Sequence, residues 1–261
     1  MASHACAQRP PITVDYTPQG RHETLGGLKT SNRISPQFVD IVGPDDATKA
    51  IVVVYDIFGV WPQTVQGVDL LSSITGALVL LPDFFEGDGA KPEWLPANTP
   101  EKQKALGDFF ANKADFGNAV KAVLNVRKDL ATRYPAVDDH VGIFGLCWGG
   151  KVGVLATGAD NTGAGRRFTV SGTAHPGRLD AKDAEPLTAP HILLASKDED
   201  AAVVAEYEKI LAQPGKVGEV DTYPNMFHGW MGARAKLDDA ENAKEYVRGY
   251  EQTAAFFNAH L

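Results

Sequence analysis

The stretch VGIFGLCWGG, residues 141–150, decides the fold class. Its first four residues form a short apolar run that is typical of a buried strand, and the residues from Trp148 onward fit a helix. Between them, Gly145-Leu146-Cys147-Trp148-Gly149 forms a tight turn with Cys147 at its apex. Such a turn requires small residues two positions before and two positions after the apex, because larger side chains would collide across it. The stretch therefore predicts a strand, a sharp turn and a helix in direct succession.

The same alternation of strand and helix continues on both sides of this stretch, from Phe38 onward. Most of the strand-length runs are continuous in Val, Ile and Leu, which suits strands that are covered on both faces. The pattern predicts an α/β fold with a mostly parallel central sheet and helices on both faces. Strands are predicted at residues 50–55, 77–81, 141–144, 168–173, 191–195 and 217–223, and helices at residues 63–75, 100–112, 116–133, 148–157, 201–213 and 240–260.

The domain organisation follows from length and composition. The 261 residues are 44% hydrophobic, which is enough for one large core, and no Ser/Gly-rich or Pro-rich linker divides the chain. Residues 1–35 contain three prolines and a Gly-Gly pair, so we expect an N-terminal arm that packs on a single domain of residues 36–261. Residues 83–99, rich in Gly, Pro and aromatics, are expected to form either a wall or lid at the carboxyl edge of the sheet or an ordinary surface loop.

Charge and cysteine content limit the partners and the compartment. The 25 basic and 33 acidic residues give a net charge of −8, which argues against a nucleic-acid partner. No apolar run approaches the length that spans a bilayer, so no membrane partner is expected. The chain has only two cysteines and no apolar run of the kind that a signal peptide needs near its start, which favours a reducing, cytoplasmic location.

Cys147 is the predicted nucleophile. The helix that follows it places a partial positive charge behind the apex of the turn, which favours thiolate over thiol. Gly-rich strand–helix turns also bind phosphates, but neither a G-x-G-x-x-G nor a Walker pattern is present. The alternative is a buried structural cysteine, since free cysteines are among the most buried residues. Cys6 lies in a polar, Pro-rich segment and is expected to be incidental.

His228 is the predicted base, because an ordinary thiol is mostly protonated at neutral pH. In α/β-hydrolases the nucleophile, acid and histidine follow in this order along the chain. His228 comes after the last predicted strand, where this order requires the base. His175 is the rival candidate, but it precedes every candidate acid and is alternatively a pocket residue without a role in proton transfer. His191 opens a strand at the wrong edge, and His260 is terminal.

Three consecutive acidic residues follow the predicted strand at residues 191–195. Asp198 is the predicted acid, because a carboxylate at this position can hold the imidazole in the correct tautomer and stabilise its cationic form. Asp200 is expected to cap the helix that follows. Glu199 is expected to be a solvated surface charge.

Motifs along most of the chain, from about Phe38 to the C-terminus, resemble the dienelactone hydrolase (carboxymethylenebutenolidase) family, and the N-terminal arm is similar to that of its fungal members. The resemblance implies an α/β-hydrolase fold, a Cys-His-Asp triad of Cys147, His228 and Asp198, no metal and no organic cofactor. It also implies an oxyanion hole made by the backbone N–H groups of Ile57 and Trp148. The motifs are Gly145-Leu146-Cys147-Trp148-Gly149-Gly150, Tyr55-Asp56-Ile57-Phe58-Gly59, Pro82-Asp83 and Phe227-His228-Gly229-Trp230.

One motif departs from the family. Characterised bacterial members carry Glu where this chain has Asp56, and that glutamate contacts the resting thiol. Asp56 is one methylene shorter, so two roles stay open: gating of the thiol, or bracing of the loop that carries Ile57. Arg234 is the candidate for the family's substrate-carboxylate arginine, with Lys102 or Lys104 as substitutes. Trp94, with Trp61, Trp148, Phe58, Phe84 and Phe85, is a candidate for the aromatic walls of the pocket, as is His175 for its lining.

These residues predict a hydrolase that opens the ester bond of a small lactone or ester by nucleophilic acyl transfer. Two alternatives remain. The same triad can serve thioester cleavage or a cyclisation or carbon–carbon bond step in secondary metabolism, since fold and triad do not fix the reaction. The chain can also be a binding protein without catalytic activity on the same scaffold. The expected partner is a small molecule, and the expected assembly is a monomer or a homodimer.

Overall fold

A single sheet organises the protein. The computed structural model describes residues 10–12, 15–25, 39–158 and 167–261. Within these residues, eight strands lie in the order β1-β2-β4-β3-β5-β6-β7-β8, with β1 and β2 antiparallel to their neighbours and the others parallel. The predicted α/β class with a mostly parallel sheet is therefore confirmed. The strands are β1 (Arg21–Glu23), β2 (Val39–Val42), β3 (Ala50–Val54), β4 (Leu78–Pro82), β5 (Val141–Leu146), β6 (Val170–Ala174), β7 (His191–Ser196) and β8 (Gly218–Tyr223).

Helices cover the sheet. Helix α4 packs on β3, β5 and β6 and is itself covered by α3, while α1 and α6 pack together and α6 contacts β6 and β7. Helix α2 begins at Pro100, where Thr99 accepts a hydrogen bond from the backbone N–H of Lys102, as expected for a proline at the first helical position. The helices are α1 (Pro62–Thr75), α2 (Pro100–Asn112), α3 (Phe116–Arg133), α4 (Trp148–Thr157), α5 (Ala201–Leu211) and α6 (Ala240–His260).

The two antiparallel strands at one end of the sheet, β1 at the edge and β2 beside it, were not among the predicted strands. Their three and four residues carry no periodic apolar signal, and β2 forms because it pairs with β4 in the register Val39↔Pro82 to Val42↔Val79. The central strands β3, β4, β5, β6 and β7 are buried along their whole length, which agrees with their nearly continuous apolar sequences.

The described part of the N-terminal arm contacts the domain near the carboxyl edge of the sheet. The backbone N–H of Ile12 donates to the carbonyl oxygen of Ala233 at 2.9 Å. The carbonyl oxygen of Ile12 accepts from Trp61 Nε1 at 2.7 Å and from Gln63 Nε2 at 2.8 Å. These bonds place the arm against the loops that follow β3 and β8. The rest of residues 1–35, Cys6 included, lies largely outside the described residues.

The turn between β5 and α4 leaves no room for a side chain at Gly149. A Cβ atom there would lie 2.0 Å from the carbonyl oxygen of Val54, which is backbone and cannot rotate away. We therefore expect Gly149→Ala to lower the free energy of unfolding by about 3 kcal/mol, measured by denaturant titration. Gly107→Ala is the matched control, because Gly107 is exposed on α2 and a Cβ there meets nothing within 4 Å. Equal stability of the two variants would contradict the tight turn.

Candidate active site

Cys147 lies at the apex of the turn that joins β5 to α4. Its backbone has φ 52° and ψ −112°, a costly conformation for a residue other than glycine. Three backbone hydrogen bonds hold it there: its N–H donates to Ala174 at 3.1 Å, and its carbonyl oxygen accepts from Gly150 at 3.1 Å and Gly177 at 2.9 Å. A non-glycine residue held in this region is a feature of strained functional sites. The residue is 1% exposed.

His228 lies next to the thiol. It follows β8, and its Nε2 atom is 3.1 Å from Cys147 Sγ. Cys147 and His228 are 81 residues apart in the sequence, and they lie side by side because the loops after β5 and β8 meet at the carboxyl edge of the sheet. The structure therefore brings together the two side chains that the sequence analysis assigned as nucleophile and base. A nucleophile within hydrogen-bond reach of an imidazole is the arrangement that activates thiols.

Glu199, and not Asp198, is the carboxylate at the imidazole. Glu199 Oε1 lies 2.7 Å from His228 Nδ1, and its other oxygen accepts from the backbone N–H of Ser196. The Glu199 side chain is 3% exposed, so the expectation of a solvated surface charge is wrong. The structure places Glu199 in the position that the sequence analysis gave to Asp198, because the turn after β7 directs the side chain of residue 199 towards His228.

Asp198 contacts the backbone of the same histidine. Its Oδ2 atom accepts a hydrogen bond from the backbone N–H of His228 at 2.9 Å, while the residue as a whole is exposed. Asp200 caps α5, as expected, with Oδ1 accepting from the N–H groups of Ala202 at 2.8 Å and Val203 at 3.4 Å. The three consecutive acidic residues therefore have three different tasks: a backbone anchor, the imidazole partner and a helix cap.

The two backbone N–H groups predicted to form the oxyanion hole belong to Trp148, which directly follows Cys147, and to Ile57, in the loop after β3. The N–H of Gly149 donates to the carbonyl oxygen of Tyr55 at 3.2 Å, which ties the turn to the loop that carries Ile57. The carbonyl oxygen of Ile57 accepts from Ala90 at 2.8 Å, which fixes this loop from the other side. In the described part of the chain, no protein group accepts from the N–H of Ile57 or Trp148. Both groups are therefore available as donors to a developing oxyanion.

Comparison with known proteins places the chain in a family. Residues 39–261 match the sequence model of the dienelactone hydrolase family. The chain belongs to this family. An uncharacterized AIM2 family protein of Schizosaccharomyces pombe is 34% identical over 94% of this chain and 92% of that protein. The mouse carboxymethylenebutenolidase homolog is 29% identical over 78% of this chain and 79% of that protein. Membership of the family was predicted from the motifs and is confirmed, and it supports a hydrolase.

Solved structures of the family share the fold. A dienelactone hydrolase from Anabaena variabilis ATCC 29413 superimposes with a TM-score of 0.62 and 16% identity, covering 94% of this chain and 98% of that one. A putative dienelactone hydrolase from Klebsiella pneumoniae gives a TM-score of 0.67 and 18% identity, covering 93% and 99%. At this identity the likeness concerns the α/β-hydrolase fold alone, which agrees with the sheet and helices described above.

Asp56 joins two loops of the family's fold. Its Oδ1 atom accepts from the backbone N–H of Phe58 at 2.9 Å, and its Oδ2 atom accepts from the N–H of Ala233 at 3.0 Å. Burial raises the pKa of the Asp56 carboxyl, although these N–H groups and the nearby Arg234 guanidinium oppose that shift. The observed bonds correspond to the loop-bracing role. The gating of the thiol by this carboxylate stays a prediction.

Arg234 is buried and is not a surface charge. Its guanidinium lies 5.0 Å from the centroid of the Phe58 ring, beside the loop that carries Ile57. Of the substitutes proposed for it, Lys104 is exposed and paired with Asp108 at 2.6 Å, and Lys102 is half-buried at the start of α2. Contact between Arg234 and a substrate carboxylate stays a prediction.

The aromatic residues predicted to form pocket walls lie in two places. The Trp148 ring packs against Phe85 with centroids 4.7 Å apart and against Phe84 at 6.3 Å, so the segment of residues 83–99 forms a wall beside the elbow. Trp94 is half-buried further along this segment and packs on Phe109 at 6.1 Å. A contact between Trp94 and substrate is a prediction that the family comparison does not test.

His175 is fully buried beside the base. Its ring is 5.3 Å from that of His228, in a T-shaped arrangement with 70° between the planes. Neither ring nitrogen has a hydrogen-bond partner among the described residues. Burial, with the His228 ring and the Arg234 guanidinium nearby, lowers the pKa of His175 well below its ordinary value. The ring is therefore neutral.

Arg178 is a site residue that the sequence analysis missed. It has φ 53° and lies next to Gly177, whose N–H holds the carbonyl oxygen of Cys147. Its guanidinium lies over the rings of Phe110 at 4.8 Å and Phe116 at 5.4 Å. It lines a groove of about 840 Å³ that contains neither Cys147 nor His228. The lining combines residues of α3, α4, α5 and the segment after β6, which are far apart in the sequence, so no local pattern predicts it.

Two further findings concern ligands and membranes. Among the described residues, no cluster of three or more His, Cys, Asp or Glu side chains is arranged to hold a metal ion. In the same part of the chain, every helix is too short or too polar to cross a bilayer. The expectations of no metal and no organic cofactor stay predictions.

Proposed function

We propose that this protein hydrolyses the ester bond of a small lactone or ester through a thioester on Cys147. The observation that carries the proposal is the continuous chain of contacts from Cys147 Sγ to His228 Nε2 at 3.1 Å and from His228 Nδ1 to Glu199 at 2.7 Å. The chain ends at a strained apex beside two available N–H donors. Together these groups supply a nucleophile, a base, an orienting acid and oxyanion stabilisation, which are the parts that acyl transfer needs.

Acylation uses the Cys147–His228 pair directly. The sulfur attacks the carbonyl carbon of the ester while its proton passes to His228 Nε2, and the carbonyl oxygen becomes an oxyanion held by Ile57 and Trp148 N–H. The C–O bond of the ester then breaks, and His228 returns its proton to the leaving oxygen. With a lactone, the leaving oxygen stays attached to the acyl group, so the thioester carries the new hydroxyl or enol.

Glu199 holds His228 in the tautomer that can accept the thiol proton. Its carboxylate accepts from Nδ1–H of His228 and so leaves Nε2 free of hydrogen to take the thiol proton. The negative charge also stabilises the imidazolium that forms during attack. Asp198 accepts a hydrogen bond from the backbone N–H of His228 at 2.9 Å, which fixes the backbone position of the base.

The burial of the catalytic pair supports a small substrate, because little of either residue is open to solvent. Cys147 is 1% exposed and His228 is 3% exposed, and aromatic rings stand on the side of Trp148. A nucleophilic thiol also works best where thiols stay reduced, and the cytoplasm as the place of action is part of the proposal.

Acetylation of the enzyme tests the proposal. Mixing with p-nitrophenyl acetate should release nitrophenolate and place one acetyl group on the Cys147 peptide, detected by mass spectrometry, because Sγ is the attacking atom. Prior alkylation with iodoacetamide should block both events. Cys6→Ser is the matched control and should behave as the wild type.

A substrate panel tests the ester assignment separately. We expect turnover of a dienelactone and of simple aryl esters to exceed that of an acyl thioester of the same acid. Acetylation of Cys6 in place of Cys147, or full activity after alkylation of Cys147, would overturn the thiol mechanism. Faster turnover of the thioester would overturn the substrate class but not the nucleophile.

A further inference from the structure

His175 presents two unsatisfied nitrogens beside the catalytic pair. The residue is fully buried, and neither Nδ1 nor Nε2 is hydrogen-bonded within the described part of the chain. A neutral imidazole has one donor and one acceptor nitrogen. Leaving either of them unpaired in the interior costs free energy, because the group gives up its hydrogen bonds to water. A polar ring kept at this cost against the ring of His228 indicates a polar partner that is bound during the reaction.

The backbone of His175 is held next to the backbone that fixes the nucleophile. Ala174, the preceding residue, accepts the N–H of Cys147 at 3.1 Å, and the N–H of His175 donates to Leu194 at 2.7 Å. Between these two anchors, His175 has φ 38°, which is unfavourable for any residue with a side chain. His175 is therefore held in an unfavourable backbone conformation beside the segment that positions Cys147, and its ring packs edge to face against that of His228.

His191 shows what a purely structural buried histidine looks like in this protein. It is equally buried, but its Nδ1 lies 2.7 Å from Ser171 Oγ and its Nε2 lies 3.2 Å from Tyr207 OH. Burial lowers the pKa of His191 to about 3. Both histidines are thus neutral, and they differ in that the nitrogens of His191 are satisfied by protein groups whereas those of His175 are not.

We propose that His175 hydrogen-bonds and orients the water that hydrolyses the Cys147 thioester, an inference that rests on the proposed function. The ring centroids of His175 and His228 are 5.3 Å apart, so one water can contact Nε2 of His228 and the accepting nitrogen of His175. The water oxygen attacks the thioester carbon as His228 takes one proton. The C–S bond then breaks, the acid is released, and the proton returns to the sulfur.

A neutral His175 is required for this task. A cationic ring cannot accept a hydrogen bond from water and would repel the imidazolium that His228 becomes during the attack. Burial, His228 and Arg234 lower the pKa of His175, and they outweigh an interaction with its own backbone that acts in the opposite direction. His175 would then act as a positioning group for water, while the proton itself moves to His228.

The lifetime of the thioester measures this role. The enzyme is acetylated with p-nitrophenyl acetate, excess reagent is removed, and loss of the acetyl group from Cys147 is followed by intact mass. In His175→Leu we expect the acetylation rate within about 3-fold of the wild type and the hydrolysis rate lower by about 100-fold, on the scale of positioned hydrogen-bonding groups. His175→Gln should recover most of the loss, because an amide can accept and donate.

His191→Gln is the matched control, with a lower melting temperature expected and an unchanged thioester lifetime. The inference is overturned if His175→Leu hydrolyses its thioester at the wild-type rate, or if acetylation and hydrolysis fall by the same factor. The second outcome would mean that His175 only supports the packing of His228. Failure of the wild type to form any thioester on Cys147 is a different result, and it would count against the proposed function itself.

Discussion

Cys147→Ala is expected to lower kcat/KM for p-nitrophenyl acetate by at least about 10⁴-fold, because removal of a nucleophile abolishes the covalent route and leaves only binding and oxyanion stabilisation. The thiol has no nearby replacement in the sequence, since the other cysteine is Cys6, in the arm. Cys147→Ser should lower kcat/KM by at least about 100-fold, because a serine hydroxyl is a weaker nucleophile than a cysteine thiol beside the same base.

The measurement is initial-rate kinetics with the wild type, the two Cys147 variants and Cys6→Ser as the control. Circular dichroism and melting temperature establish that each variant is folded, since Cys147 occupies a strained backbone position. A folded Cys147→Ala protein that keeps more than a tenth of the wild-type kcat/KM would contradict the assignment of the nucleophile.

Glu199→Gln is expected to lower kcat by about 10³-fold with a small change in KM. Glutamine is isosteric, but its amide can donate to Nδ1 of His228. The ring would then carry its hydrogen on Nε2 and could no longer accept the thiol proton, which is the tautomer error that disables related triads. The 2.7 Å contact between Glu199 and His228 carries this prediction.

Asp198→Asn is the matched control in the neighbouring position. Its amide oxygen can still accept the backbone N–H of His228, now held at 2.9 Å, so a loss below about 10-fold is expected. Kinetics of the two variants under the same conditions decide between them. A larger loss of kcat in Asp198→Asn than in Glu199→Gln would support Asp198 as the acid, as the family resemblance implies. It would contradict a catalytic role for the contact between Glu199 and His228.

The exchange of Asp198 for Glu199 shows where sequence reasoning stops. Strand β7 and the position of an acidic residue after it are local properties and were predicted. Which of two consecutive carboxylates points at the imidazole depends on the path of the turn after β7, and that path is a property of the folded chain. A family pattern selects the aspartate, whereas here the longer glutamate side chain reaches His228.

The elbow and the order of nucleophile and base were predictable for a different reason. The G-x-C-x-G-G string is visible within ten residues of sequence, and Gly145 is required by a contact inside it, with the backbone of Gly149. The contacts that require Gly149 and Gly150, with Val54 and Thr173, come from distant parts of the chain. Strand β1 depends on pairing with β2 and β2 on pairing with β4, while Arg178 depends on the packing of rings from α2 and α3; no local pattern encodes these contacts. His175 was considered only as a base or a pocket residue, because the unsatisfied state of its ring is a property of the folded interior.

The backbone of Ala233 connects three parts of the chain by hydrogen bonds. Its oxygen accepts the N–H of Ile12 from the arm, and its N–H is held by Asp56, the residue just before the oxyanion donor Ile57. The described part of the arm is thus connected through one residue to the loop that carries Ile57. If Ile57 N–H is the proposed oxyanion donor, we expect substitutions at this contact to alter turnover without contact to a reacting group.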